Sequence, residues 1–162
     1  GLSDAWESIN DRDPKDGKLL FTFDCGGWQT EGWVGSKSLG NIAGRQGLLD
    51  FELAGGKGGN NTRRVKGVIR RDGLNLDTQK NRGKFVLRAS ADAGGTVELL
   101  AATGSGAAVS IGTTEIAPSK TLSQWVIPTS DSDAWSGRVS SIQLDFDAPA
   151  GTRVEIDSIT IQ

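Results

Sequence analysis

The chain of 162 residues contains no histidine, no tyrosine and no methionine, and a single cysteine, Cys25. Each absence removes a class of function. Without histidine, no side chain has an ordinary pKa that changes charge near neutral pH. The commonest general base is therefore missing, and so are the Ser-His and Cys-His nucleophile arrangements. Without histidine or a second cysteine, a zinc site of usual composition cannot be assembled and no internal disulfide can close. Cys25 is read as a small buried or half-buried filler. Any catalysis would have to run on carboxylates, lysine or arginine. No apolar run is long enough to span a bilayer and no signal peptide is visible, which points away from a membrane partner. The missing methionine gives the expectation of a piece excised from a longer chain.

What is present is glycine and short apolar alternation. The 23 glycines and the scarcity of helix-period apolar repeats suit many short strands joined by tight turns. At this length the chain is one domain with a single core. Candidate strands fall at 18–24, 47–53, 65–71, 84–91, 96–102, 107–112, 121–128, 139–147 and 153–161. They predict an all-β fold, a β-sandwich or jelly roll of about eight to nine antiparallel strands. Residues 1–17 are acidic and turn-rich without a strand period, and read as a linker ahead of a module over 18–162.

The two ends read as strands of one sheet. Leu19, Phe21 and Phe23 share a face, and the alternation stops at Asp24. In the last strand Val154 and Ile156 share a parity that Ile159 and Ile161 do not. A one-residue slip at Asp157-Ser158 keeps all four out of water, so the pattern predicts a bulge that turns Asp157 sideways.

Phe21-Thr-Phe-Asp24, Thr30-Glu-Gly-Trp33 and Gly47-Leu-Leu-Asp-Phe-Glu-Leu53 resemble the opening of bacterial carbohydrate-binding modules with the galactose-binding-like jelly-roll fold. Trp125-Val-Ile, Trp135-Ser-Gly137, Ile142-Gln-Leu-Asp145 and Val154-Glu-Ile-Asp157-Ser-Ile-Thr-Ile161 resemble their ending, and the match is thin between about 55 and 120. The resemblance implies a structural calcium ion held with the help of Asp24 and Asp157; the alternative is two ordinary solvated strand-end carboxylates. It also implies core positions for Trp125 and Trp135. Gly1-Leu-Ser-Asp4-Ala-Trp6-Glu7 resembles the second half of thrombospondin type 3-like calcium loops, found between modules of bacterial extracellular proteins. The three aspartates preceding that half are absent here, so few oxygens remain for an ion.

Charge is unevenly placed. Between Lys57 and Arg88 lie ten basic residues against Asp72 and Asp77, a local excess of eight that leaves −10 on the rest of a chain with net charge −2. Arginine offers a planar fork for carboxylate or sulfate oxygens, so Arg63, Arg64, Arg70, Arg71, Lys80 and Arg82, with Asn75, are candidate ligands for an anionic polysaccharide. A solvated strand face paired with acids is the alternative for any one of them. Asn60, Asn61, Gln79 and Asn81 add neutral hydrogen-bonding groups. Trp28, in a glycine-flanked loop, is the candidate stacking ring, and Trp33 reads as core or half-buried.

These readings combine into a non-catalytic, secreted, calcium-containing carbohydrate-binding module. It is expected to be monomeric within a larger polysaccharide-degrading enzyme and to bind a uronate or sulfated chain. An adhesion or structural module of a bacterial surface protein is the alternative. A small polysaccharide-active enzyme ranks lower: Asp50 and Glu52 look like the outward set of an edge strand, and nothing pairs them or Glu31 or Glu98 with a catalytic partner. Nucleic acid is disfavoured by the net charge.

Overall fold

The computed structural model describes residues 18–23, 30–37, 39–40, 42–54 and 64–162. Among these no helix forms, and twelve strands follow in order: β1 (Leu20–Phe21), β2 (Trp33–Gly35), β3 (Ala43–Arg45), β4 (Leu48–Glu52), β5 (Arg64–Arg71), β6 (Leu76–Asp77), β7 (Lys84–Ala91), β8 (Gly95–Thr103), β9 (Val109–Ile116), β10 (Ser119–Pro128), β11 (Arg138–Pro149) and β12 (Arg153–Ile161). The first sheet runs β10-β7-β12-β4-β3 with β1 also on β12, and the second runs β2-β5-β11-β8-β9 with β6 also on β11. All pairings are antiparallel. The β-sandwich expected from the alternation is the fold. β2, β3 and β6 exceed the expected strand count because two or three residues are too few to display a period.

Period-two alternation places one set of side chains from each sheet in the shared interior. Leu49, Phe51, Leu87 and Ile156 come from the first sheet and Ile69, Leu99, Leu144 and Phe146 from the second, all buried. Phe51 meets Phe146 edge-on across the sandwich at 5.2 Å between ring centroids. Trp33, Trp125 and Trp135 are buried, as are all five phenylalanines.

First and last strands lie side by side: Leu20 faces Thr160 and Phe21 faces Ile159. The expected bulge is present. Opposite consecutive Ala89 and Arg88 of β7, β12 presents Ile156 and then Ser158, so Asp157 is the extra residue. Val154, Ile156, Ile159 and Ile161 are all buried as a result. The slip sits where the neighbour of β12 on its other side changes from β4, which ends opposite Ile156, to β1, which begins opposite Ile159.

Asn81 stitches the first strand to the tail of the sandwich. It is fully buried; its Oδ1 accepts from the Leu19 amide at 2.6 Å, its Nδ2 donates to the Asp77 carbonyl at 2.9 Å, and its own carbonyl accepts from Trp135 Nε1 at 2.6 Å. It is thus scaffold rather than one of the sugar-facing amides its composition suggested. Asn81→Ala strips partners from buried polar groups and is expected to destabilise the domain by about 2–3 kcal/mol, measured as a lower urea midpoint at unchanged slope.

Candidate functional site

The exposed side of the second sheet is laid out by strand register. One row reads Val34, Arg70, Gln143, Leu100, Ser110, and the next reads Val68, Asp145, Glu98, Thr113. A third row places Lys66, Asp147, Thr96 and Glu115 side by side. Residues of β11 between its core positions therefore lie at the middle of this face, because β11 is the central strand.

Polar groups on the face are tied to one another. Gln143 Nε2 donates to Asp145 Oδ1 at 2.8 Å, and Ser110 Oγ donates to Glu98 Oε2 at 2.8 Å. Asp145 and Glu98 are direct cross-strand neighbours, an arrangement of like charges that costs stability in an ordinary sheet. At one end of the face a groove of about 370 Å³ opens between Arg70, Asp72 and Gln143 on one side and the β8–β9 hairpin, residues 104–108, on the other. Ser140 Oγ fastens that hairpin through the carbonyls of Ala102 and Gly104, at 3.1 and 2.7 Å. Glycine, alanine and serine in the wall leave room for a ligand to approach the backbone.

Among the described residues, the arginines of β5 are set apart by the strand they share. Arg64 and Arg70 lie on the same face of β5 but six residues apart, roughly 20 Å along an extended strand. Arg64 Nε donates to Asp147 Oδ1 at 2.8 Å, and Arg70 Nη2 donates to Asp72 Oδ2 at 3.0 Å. Arg71 turns to the scaffold: its Nε donates to the Glu31 carbonyl at 2.8 Å and its guanidinium carbon stands 5.7 Å from the centre of the Phe21 ring. Around β6, Asn75 precedes the strand and Lys80 and Arg82 follow it in the turn to β7, all three exposed. Arg138 lies opposite Asp77 there and reaches Asn75 Oδ1 at 3.4 Å. Arg63 and Trp28 lie outside the described residues, so the stacking ring is not placed. Among the described residues every aromatic ring is buried.

Asp24 also lies outside the described residues. The Asp157 carboxylate, carried on the bulge, faces Arg88 Nε at 3.4 Å and is 39% exposed. Among the described residues no three carboxylates gather into a metal site.

The first sheet carries a tighter charge cluster. β4 is not an edge strand, since β3 lies outside it, and Asp50 points to the outer face. Arg153 grips Asp50 with two bonds, Nε to Oδ1 at 3.0 Å and Nη2 to Oδ2 at 2.6 Å, and Arg45 approaches the same carboxylate at 4.0 Å. Hydrogen bonding and charge from Asp50 hold the Arg153 guanidinium above its ordinary pKa. A raised folded-state pKa contributes stability below the unfolded value and loses it only as pH rises through the folded one, so this pair stays intact through the whole neutral and moderately alkaline range.

Sequence reasoning missed Gln143, Asp145 and Glu98 as a face. The usable signal was the polar residue between core residues on β8 and β11, but their meeting required the register.

No family model and no curated protein sequence matches this chain. Solved structures do match. A family 28 carbohydrate-binding module described as specific for non-crystalline cellulose superposes with a TM-score of 0.58 at 15% identity, covering 87% of this chain and 92% of that one. A mutant of a family 29 carbohydrate-binding module gives 0.55 at 15% identity, covering 89% and 91%. A family 29 module from Piromyces equi gives 0.52 at 10% identity, covering 90% and 91%. At such identity the likeness is one of fold: this chain is a β-sandwich of the kind those modules use.

Arg153→Met leaves the buried Asp50 carboxylate without its bidentate partner. It is expected to destabilise the domain by about 2–3 kcal/mol, read from equilibrium urea unfolding at pH 7.

Proposed function

We propose that this domain is a non-catalytic carbohydrate-binding module that takes a polysaccharide along the outer face of its second sheet. The observation that carries this reading is the groove beside Arg70 and Gln143, with the planar polar side chains of Asp145 and Glu98 in the next row of the same face. Such groups match the paired hydroxyls of a sugar ring with donors and acceptors in one plane. The likeness in fold to carbohydrate-binding modules supports it. Asp145 and Glu98 stand side by side on one sheet face instead of facing each other across a cleft, which leaves no place for a glycosidic bond between them and favours binding over hydrolysis. Attached to a secreted polysaccharide-degrading enzyme, such a module raises the local concentration of substrate around the catalyst.

The charge of the glycan divides this reading in two. On the sheet face Glu98, Asp145, Asp147 and Glu115 outnumber Arg64, Lys66 and Arg70, which favours a chain recognised through hydroxyls. A uronate or sulfated chain would draw instead on the cations around β6: the exposed Lys80 and Arg82 that follow it, and Arg138, which lies opposite Asp77 and reaches Asn75. Affinity electrophoresis against xylan, mixed-linkage glucan, polygalacturonate and carrageenan separates them. Gln143→Ala is expected to weaken a neutral-chain complex about tenfold, the loss of a well-made hydrogen bond to a ligand. Lys80→Ala with Arg82→Ala is expected to abolish an anionic one whose affinity falls with salt. Retardation by none of the four polymers would remove the carbohydrate reading altogether.

Calcium held with Asp24 and Asp157 belongs to the same proposal. Its motivation is the bulge that turns Asp157 out of the ladder. Calcium added to chelator-treated protein is expected to raise Tm by about 5 °C or more at saturation, with the rise lost in Asp157→Asn; an unchanged Tm in the unmutated domain discards the ion.

A further inference from the structure

The β3–β4 hairpin closes through Gln46 and Gly47, with Arg45 facing Leu48. Gln46 has φ of 54° and Gly47 of 78°, the two left-handed residues of a type I′ turn. That turn favours asparagine, aspartate or glycine at its first position; glutamine lacks the short side chain that eases a left-handed backbone, and its place there is strained. The same residue borders a cavity of about 270 Å³ on the outer face of the first sheet, lined also by Arg45, Leu48, Asp50, Arg153 and Glu155. The Asp50 side chain, only 9% exposed, forms its floor. Its guanidinium partner Arg153 stays 51% exposed, so the pair stands at the mouth of the cavity with one member shielded and the other open to solvent. Backbone strain and a shielded carboxylate holding an accessible guanidinium at one cavity point to a built recognition site.

We propose that this cavity is a second ligand site, which takes one neutral sugar ring. The lining holds two guanidinium groups and two carboxylates, so it carries no net charge to select an ion. It does offer both senses of hydrogen bond that a pair of adjacent hydroxyls needs: Arg45 and Arg153 donate, and Glu155 accepts. Asp50 fixes Arg153 through its Nε and Nη2, at 3.0 and 2.6 Å, which sets the guanidinium plane before a ligand arrives. Leu48 supplies an apolar contact for the ring. The site lies on the sheet opposite the groove near Gln143, so it adds to the reading above and does not depend on it. The ring can come from a free monosaccharide or from the end of a glycan chain.

Amide chemical shifts of ¹⁵N-labelled domain, titrated with D-glucose, D-galactose, D-mannose, D-xylose and the disaccharides cellobiose and xylobiose, test it. At least one sugar is expected to shift the amides of Arg45, Gln46, Gly47 and Glu155 saturably, with Kd of about 1–10 mM, the range of a few hydrogen bonds. A disaccharide that binds at least fivefold tighter than its monosaccharide identifies a chain end as the source; equal affinity identifies the free sugar. Gln46→Asn separates a functional role from a merely structural one. It is expected to raise Tm by relieving the turn while weakening the sugar at least fivefold. The proposal falls if no sugar shifts these amides saturably, or if Gln46→Asn raises Tm and leaves the affinity unchanged. Shifts at Gln143 and residues 104–108 report the groove on the opposite sheet, so the two sites succeed or fail separately.

Discussion

The arrangement depends on β12 being held on both sides at once. One flank is hydrogen-bonded to β7 along its length, and the other is shared between β4 and β1. A single regular strand could not serve that role with this sequence, because the apolar parity of Val154 and Ile156 differs from that of Ile159 and Ile161. The extra residue at Asp157 reconciles them. It lets the first half of β12 pair with β4 and the second with β1 while all four side chains stay in the core. The facing sheet then packs on a continuous apolar surface, and its outer face is set free for polar residues.

That freedom explains why the candidate sites lie on the outer faces. On the second sheet, β11 is central, so Gln143 and Asp145 gain neighbours on both sides and form rows with Arg70, Leu100 and Glu98. On the first sheet, the pairing of β12 with β4 and β4 with β3 brings Arg153, Asp50 and Arg45 together from distant parts of the chain. The two faces differ in character. One is an open platform with partly satisfied acids, and the other a compact, charge-neutral cavity around a buried carboxylate.

The core and the pairing of the ends were legible in the sequence because both rest on local alternation. The parity slip at Asp157 announced its own bulge, and Trp125 and Trp135 lie in the interior that the resemblance implied. The arrangement of the basic residues was not legible. Their number between Lys57 and Arg88 is a property of composition, whereas their environment depends on strands far away: Arg64 is answered by Asp147, 83 residues on. Six residues of β5 separate Arg64 from Arg70 on one face, and alternation along the strand turns Arg71 to the other. Asn81 misled for the opposite reason, since an amide in a polar stretch reads as surface until the chain folds over it. Asp50 looked like an edge residue because β3, three residues long and containing a glycine, gives no periodic signal.

β12 is also the last of the described strands to leave the ribosome. Without it, the first sheet would fall into three pieces, β1 alone, β4 with β3 and β7 with β10, with the edges that β12 covers left bare. Pairing through distant contacts makes such a fold slow to form, and unpaired edges of that kind invite association with other chains. A domain built this way is exposed to such association for as long as β12 is not in its place between β7 on one side and β4 and β1 on the other.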